Sequence, residues 1–407
     1  MAFQYGLSGM NAASKNLDVI GHNIANANTT GYKSSRTEFA ELFGSAVGAS
    51  NANTVGQGVG VAAISRQFSQ GNVSTTGNNL DVAINGAGFL QLGMPDGSTA
   101  YTRAGNLKLN KDGELVNQQE AQVLGFPTNP KTGAVVSRTL EPIILPIDKG
   151  ILGQKTTELA VEFNLNGEAS IYNSGTNEPP YTTYGASMNI YNSQGEAIPV
   201  DLYFTKTDVN TWKVSKSVDG GTKTDMATVE YDNDGKFVSQ TAISPATTGA
   251  EITADEADGT DFTVAVDLSG TTQFASRFSV SKTSQDGHAA GSLNGISIEP
   301  DGTVRASYSN GLNLSQGKLA LVKFNNAQGL AATTGGNLIE TVASGGRIVG
   351  EPNGGNFGGL QSGALEDSNV DLTSELVNMM TAQRSYQANA QTLKTQDQVM
   401  STLVNLR

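Results

Sequence analysis

The two ends of this 407-residue chain constrain it most. Each is a long helix-patterned segment with no net charge, while everything between them is β-patterned and acidic. Residues 1–30 carry one Lys (Lys15) and one Asp (Asp18). Residues 371–407 carry Asp371, Glu375 and Asp397 against Arg384, Lys394 and Arg407. The net charge of −13 therefore falls on residues 31–370. Phe3, Met10, Leu17 and Ile24 recur every seven residues, and Leu7 and Ile20 widen that stripe. At the other end Leu372, Met379, Tyr386, Leu393 and Met400 recur in the same way, with Leu376, Ala390 and Val404 on the adjoining row. That period predicts coiled-coil-like packing of two terminal helices. Asp371 is the expected N-cap of the second, and Glu375 suits the positive end of its dipole.

The remaining helix positions are Asn, Gln, Ser, Thr and Ala, among them Asn11, Asn16, Asn23, Gln383, Gln387 and Gln391, so the usual charged outer face is missing. Two readings follow. Other chains cover those faces, or the ends form an ordinary two-helix coiled coil with a polar outside. A single seam of five large side chains does not offset the entropy of ordering a helix this long, so the ends need several neighbours or stay frayed in the monomer.

The middle predicts antiparallel β-structure. Asp-Gly or Asn-Gly occurs twelve times between residues 85 and 354 and never in the terminal helices. These dipeptides tolerate positive φ and close two-residue hairpins. Apolar residues alternate at Leu159, Val161, Phe163 and Leu165, at Val200, Leu202 and Phe204, and at Phe262, Val264 and Val266. Gly is 48 of 407 residues and only 15% are charged, which suits turn-rich sheets. The expected fold is multidomain α+β, with terminal helices paired as an inner domain and β-domains nested between them. The expected boundaries are 1–30 with 371–407 for the helices and 31–70 with 355–370 for linkers. An inner β-domain takes 71–149 with 286–354, and an outer one takes 150–285. The Gly-rich stretches 44–60 and 350–363 read as linker and hinge.

No chemistry stands out. With no Cys there is no disulfide, thiolate nucleophile or Cys-based metal site. His22 and His288 have no ligand or base partner in sequence reach. Gly58-x-Gly60-x-x-Ala63 loosely matches a dinucleotide fingerprint but lacks the preceding strand and the distal acid. Glu230-x-Asp232-x-Asp234-Gly235 begins like a calcium loop, yet its twelfth position is Thr241, so a hairpin turn is the better reading. Trp212, the single Trp, reads as a sheet-core residue. No catalytic residue, metal or cofactor is expected, and the acidic balance argues against nucleic acid. No run approaches a membrane span, and MAFQYGLSGM lacks the regions of a cleaved signal peptide.

SGMNAASKNLDVIGHNIANANTTGYKSSR (8–36) resembles the N-terminal signature of bacterial flagellar rod and hook proteins, and residues 363–407 resemble the matching C-terminal signature. NNLDVAINGAGFLQL (78–92) and residues 301–324 look like that family's inner β-domain. Residues 150–285 look like the outer domain that distinguishes hook subunits from shorter rod proteins. The resemblance implies a non-enzymatic subunit of the flagellum that polymerises with itself into a curved, flexible tube, a universal joint between motor and filament. It implies contacts with rod, hook-cap and hook–filament junction proteins, and passage through the export apparatus without a cleaved signal or membrane insertion. Phe3, Leu7, Met10, Leu17, Ile20, Ile24, Leu372, Leu376, Met379, Tyr386, Leu393, Met400 and Val404 are the expected subunit-packing residues. Phe39-x-x-x-Phe43 looks like the family's export motif, although the spacing equally suits two aromatics on one helical face. The alternatives are a distal rod protein of the same family and a secreted β-rich adhesin.

Overall fold

The computed structural model describes residues 2–42, 58–147, 150–172, 183–243, 250–255 and 261–405. The chain divides into two compact units. The first is Met1–Leu145 with Gly295–Ser307 and Asn313–Arg407, and the second is Pro146–Asn294 with Tyr308–Leu312.

In the first unit, helix α1 (Ala2–Ala25) opens the chain and α2 (Leu372–Asn405) closes it. Strands β1 (Ser35–Glu41) and β2 (Val59–Arg66) pair antiparallel with a bulge between Glu38 and Phe39. Next come β3 (Val73–Thr75), β4 (Val82–Asn85), β5 (Phe89–Gly93) and β6 (Thr99–Thr102). The C-terminal stretch returns to the early strands: Gly359–Ser362 pairs with β4, and Ala364–Glu366 with β3. β5 is the hub of the main sheet, bonded to β6, to Gln122–Phe126 and to Leu321–Lys323. Its turn into β6 is the predicted Asp-Gly type: Gly97 has φ +82°, and the Asp96 carboxylate accepts from Ser98 N at 2.9 Å. Phe89, Tyr101, Val322 and Phe324 form one core cluster, with Tyr101 and Phe324 edge-to-face at 4.8 Å.

Two expectations over this unit are corrected. Residues 35–41 and 59–66 of the expected linker form the β1–β2 pair, while 43–57, most of the Gly-rich stretch 44–60, lie outside the described residues. The Gly-rich 350–363 is not a free hinge. Asn353 donates its side-chain amide to Pro300 O at 2.9 Å, Gly358 N bonds Ala87 O, and residues 359–362 are a paired strand. Glycine allows this close approach: a Cβ on Gly358 would stand 2.4 Å from Asn85 O.

The second unit packs a five-stranded antiparallel meander (183–191, 197–208, 211–218, 224–231 and 237–242) against a second five-stranded sheet. The alternating residues Leu159, Val161 and Phe163 and their counterparts Val200, Leu202 and Phe204 fill the space between, all buried. Strand Glu158–Asn166 runs parallel to Asp261–Asp267 and to Thr272–Phe274, so this sheet is mixed. Trp212 is in the core as expected, and its Nε1–H donates to Gln273 Oε1 at 2.6 Å. The calcium-like stretch is a turn, in which the Asp232 carboxylate accepts from Asp234 N and Lys236 N.

Candidate assembly site: the terminal helices and the first hairpin

Asp371 caps α2 as its position predicts. Its Oδ1 accepts from Thr373 N at 2.9 Å and Ser374 N at 3.3 Å, and its Oδ2 accepts from Ser374 Oγ at 2.8 Å. The Ser374 hydroxyl and these amides hold the carboxyl below its ordinary range.

α1 and α2 pack antiparallel, since Gly6 meets Leu393, Gly9 meets Asn389 and Asn23 meets Glu375. From the heptad row of α2 the seam takes Leu393, which packs against Gly6. Otherwise it is built from small residues: a Cβ on Gly6 would lie 3.1 Å from Leu393, one on Gly9 would lie 2.8 Å from Asn389, and Ala12, Ala13 and Ala382 are buried. Small residues let the helix backbones approach closely. Of the expected packing residues only Ile20 is buried. Met10, Leu17, Ile24, Met379 and Leu393 are half-buried, and Phe3, Leu7, Leu372, Leu376, Tyr386 and Met400 are exposed. Val404 lies in α2, but its side chain is outside the described residues. The apolar rows thus remain largely uncovered within one chain.

In sequence Asn23 is one polar residue on a helix face. It is 1% exposed and uses all its hydrogen-bonding capacity on three elements. Its Nδ2 donates to Ser35 O at 2.8 Å and Glu375 Oε1 at 3.1 Å. Its Oδ1 accepts from Ser35 N at 2.9 Å and from the Tyr32 hydroxyl at 3.0 Å. Burial raises the Tyr32 hydroxyl above its ordinary pKa, with opposing contributions from Arg66 and Ser35.

α1, α2 and the β1–β2 pair enclose a groove of about 1090 Å³. Its walls include Ser8, Ala12, Asn16, Thr37, Asn378 and Ser385. The Thr37 hydroxyl is buried there without a hydrogen-bond partner among the described residues. The hairpin itself exposes Phe39, Leu42, Val61 and Ile64. Phe39 stands in β1, not on a helix, so it is not one of two aromatics stacked on a helical face; Phe43 lies outside the described residues. The only charged pair along α1 is Lys15–Asp18, exposed and 3.5 Å apart, so the helix carries no uncompensated charge.

Four domain families match the chain in order. These are the flagella basal body rod protein family over residues 3–33, the flagellar hook protein FlgE/F/G D1 domain over 83–171, the flagellar basal body protein FlaE D2 domain over 164–288, and the flagellar basal body rod FlgEFG protein C-terminal family over 361–406. The flagellar hook protein FlgE of Escherichia coli (strain K12) is 39% identical over 416 residues, with both chains covered completely. The chain belongs to the flagellar hook protein family. Within that family it is 38% identical over 417 residues to the hook protein of Salmonella typhimurium, both chains again fully covered. It is 30% identical over 437 residues to that of Borreliella burgdorferi, with 99% of this chain and 98% of the relative covered. The crystal structure of Helicobacter pylori flagellar hook protein FlgE2 shares the fold, with a TM-score of 0.56 at 16% identity over 72% of this chain and all of that one. The family matches at the two ends take in nearly all of α1 and the whole of α2.

Among the described residues no group of three or more His, Asp or Glu has the arrangement of a metal site, and no helix is long and apolar enough to cross a membrane.

Proposed function

We propose that this chain is a structural, non-enzymatic subunit of the bacterial flagellar hook, polymerising through its terminal helices into a curved, flexible tube that carries motor torque to the filament. One observation supports this reading above the rest. The seam between α1 and α2 is closed by small residues, and the apolar rows at seven-residue spacing stay open, with Phe3 54%, Leu376 51% and Met400 57% exposed. A helix pair that leaves such rows uncovered gains by packing against further copies. The groove beside Thr37 and the exposed Phe39, Val61 and Ile64 extend that surface onto the hairpin.

The partners in this reading are other copies of the chain, the rod below, the cap and junction proteins above, and the export apparatus that Phe39 and Phe43 engage. The match of 164–288 to the D2 domain favours a hook subunit over a distal rod protein. Negative-stain electron microscopy of the concentrated, salted protein tests the reading: hollow curved tubes are expected, and a persistent monomer overturns it. Double substitution of Phe39 and Phe43 by Ala tests the export role, with secretion falling while the thermal stability of the purified chain holds. Undiminished secretion removes that role.

A further inference from the structure

Glu366 is buried without trace of exposure, at the point where the chain leaves the sheet for α2. Two cations converge on it. Lys33, from the segment that follows α1, donates from Nζ to Oε1 at 2.5 Å and to Ser69 O at 2.7 Å. Arg103, from the loop after β6, donates from Nη1 to Oε2 at 2.9 Å and to Oε1 at 3.2 Å. Arg103 is held from behind by Gly88 O and Gly86 O, and its guanidinium lies 5.7 Å from the Phe89 ring centroid. Gly71 N adds a third donor to Oε1 at 2.9 Å. The Lys33 and Arg103 side chains are 3% and 6% exposed, and each has Glu366 as its one carboxylate among the described ion pairs.

Backbone bonds stack around this centre. Gly31 N donates to Glu366 O at 2.7 Å, and Asp367 N to Asn72 O at 2.8 Å. Gly31 is at φ +70°, and a Cβ there would fall 2.6 Å from Ala104 N, so three separate stretches of chain meet at van der Waals limits. Asn369 extends the contact, accepting from Ser34 N and donating to Gln67 O. Asp371, the cap of α2, follows Glu366 by only five residues.

We propose that Glu366 is the positioning residue of the assembly unit: a single buried counter-ion that ties the return from α1 and the approach to α2 to the β-domain, and so fixes the direction in which both helices leave it. Two buried cations on one carboxylate make the arrangement asymmetric. Removing Lys33 leaves a neutral Arg–carboxylate pair in which Nη1 meets both oxygens. Removing the carboxylate leaves two unpaired buried cations, the severe case for a buried ionic cluster. The helix seam reaches β1 through Asn23 and Ser35, whereas the Glu366 contacts reach Arg103 after β6 and Gly71 before β3. That torque crosses between helices and β-domain through this clamp rests on the polymer reading above; the clamp itself does not.

Hydrogen exchange on the full-length monomer tests the clamp. In E366Q the amides of Gly31, Gly71 and Asp367 should exchange at least about a hundredfold faster, while amides of β5 keep their protection. Unchanged exchange, or an equal rise in β5, overturns the proposal. K33M strands no carboxylate and serves if E366Q does not fold. It should raise exchange at Gly31 and Gly71 by roughly three- to tenfold, within the loss typical of one hydrogen bond. No rise in K33M, or a rise as large as in E366Q, overturns the role of Glu366 as the shared counter-ion. Electron microscopy of the same samples separates the two readings. Absence of tubes from the unaltered protein removes the polymer reading and leaves the monomer result standing.

Discussion

Asn23 on α1 and Glu375 on α2 stand 352 residues apart in the chain, yet the Asn23 amide donates to the Glu375 carboxylate at 3.1 Å across the helix seam. Elsewhere the seam sets Gly6 and Gly9 against Leu393 and Asn389, with Ala12, Ala13 and Ala382 buried. A buried polar side chain that must reach one partner fixes the register, as single polar positions do in coiled coils. Asn23→Leu should therefore cost about 2–4 kcal/mol, because it leaves Ser35 N and Ser35 O without this partner and takes one of two partners from the Tyr32 hydroxyl, which keeps His22 Nδ1 at 2.8 Å. Urea denaturation followed by helical circular dichroism should show the earlier transition. Trp212 fluorescence reports the second unit and should not move; a coincident shift would refute a local role.

The glycines of α1 divide into two kinds. A larger residue at Gly9 is driven into Asn389, whereas nothing lies within 4 Å of a Cβ on Gly21. Gly9→Leu should destabilise the helix pair by about 1–3 kcal/mol through overpacking. Gly21→Ala should stabilise it by up to about 1 kcal/mol through helix propensity. Thermal melts of the two monomeric variants compare them, and equal effects of one sign would mean that close approach at Gly9 is not what holds the seam.

Leu376→Asp separates monomer folding from assembly. Leu376 is half exposed in the single chain, so the monomer should change by less than about 0.5 kcal/mol. In a tube the same carboxylate would be buried unpaired in every subunit, and tubes should not form. Tubes of normal length from this variant, seen by electron microscopy, would take the heptad rows out of the assembly surface.

The second unit should weaken at alkaline pH. Burial raises the Tyr231 hydroxyl to about 12, against a smaller lowering by its bond with Thr271 at 2.7 Å. A raised folded pKa means that stability is intact below the unfolded value near 10 and is lost as pH climbs from about 10 to about 12. The loss is on the order of 2–3 kcal/mol. Tyr231→Phe should be less stable at neutral pH but flatter across that window. Parallel pH profiles for the two proteins, by denaturant titration with circular dichroism, would contradict the assignment.

Much of the architecture was legible in the residues themselves. Seven-residue spacing with Asp371 at the cap marks the helices, because side-chain period and cap chemistry are local properties. Alternation at Leu159, Val161 and Phe163 marks a strand with one buried face for the same reason. The Asp-Gly dipeptides mark turns because φ preference belongs to the dipeptide, as Asp96-Gly97 shows between β5 and β6. The resemblance carried by residues 8–36 and 363–407 pointed to the family to which the chain belongs.

Tertiary structure decided what long-range contact alone can decide. An apolar stripe states that a helix face seeks cover but not who supplies it, so the small-residue seam through Gly6 and Gly9 could not be told from a heptad seam in advance. The glycine-rich 350–363 is locally flexible in composition, yet it is fixed by a strand and by Pro300, both distant in sequence. The pair β1–β2 is hidden because its strands flank a long segment and show little alternation. The parallel pairing of Glu158–Asn166 joins strands a hundred residues apart. Glu366 and its two cations carry no local signal at all. Charged residues at 33, 103 and 366 look like three surface positions until the fold removes water from between them, and only then does one carboxylate become the centre on which both chain ends depend.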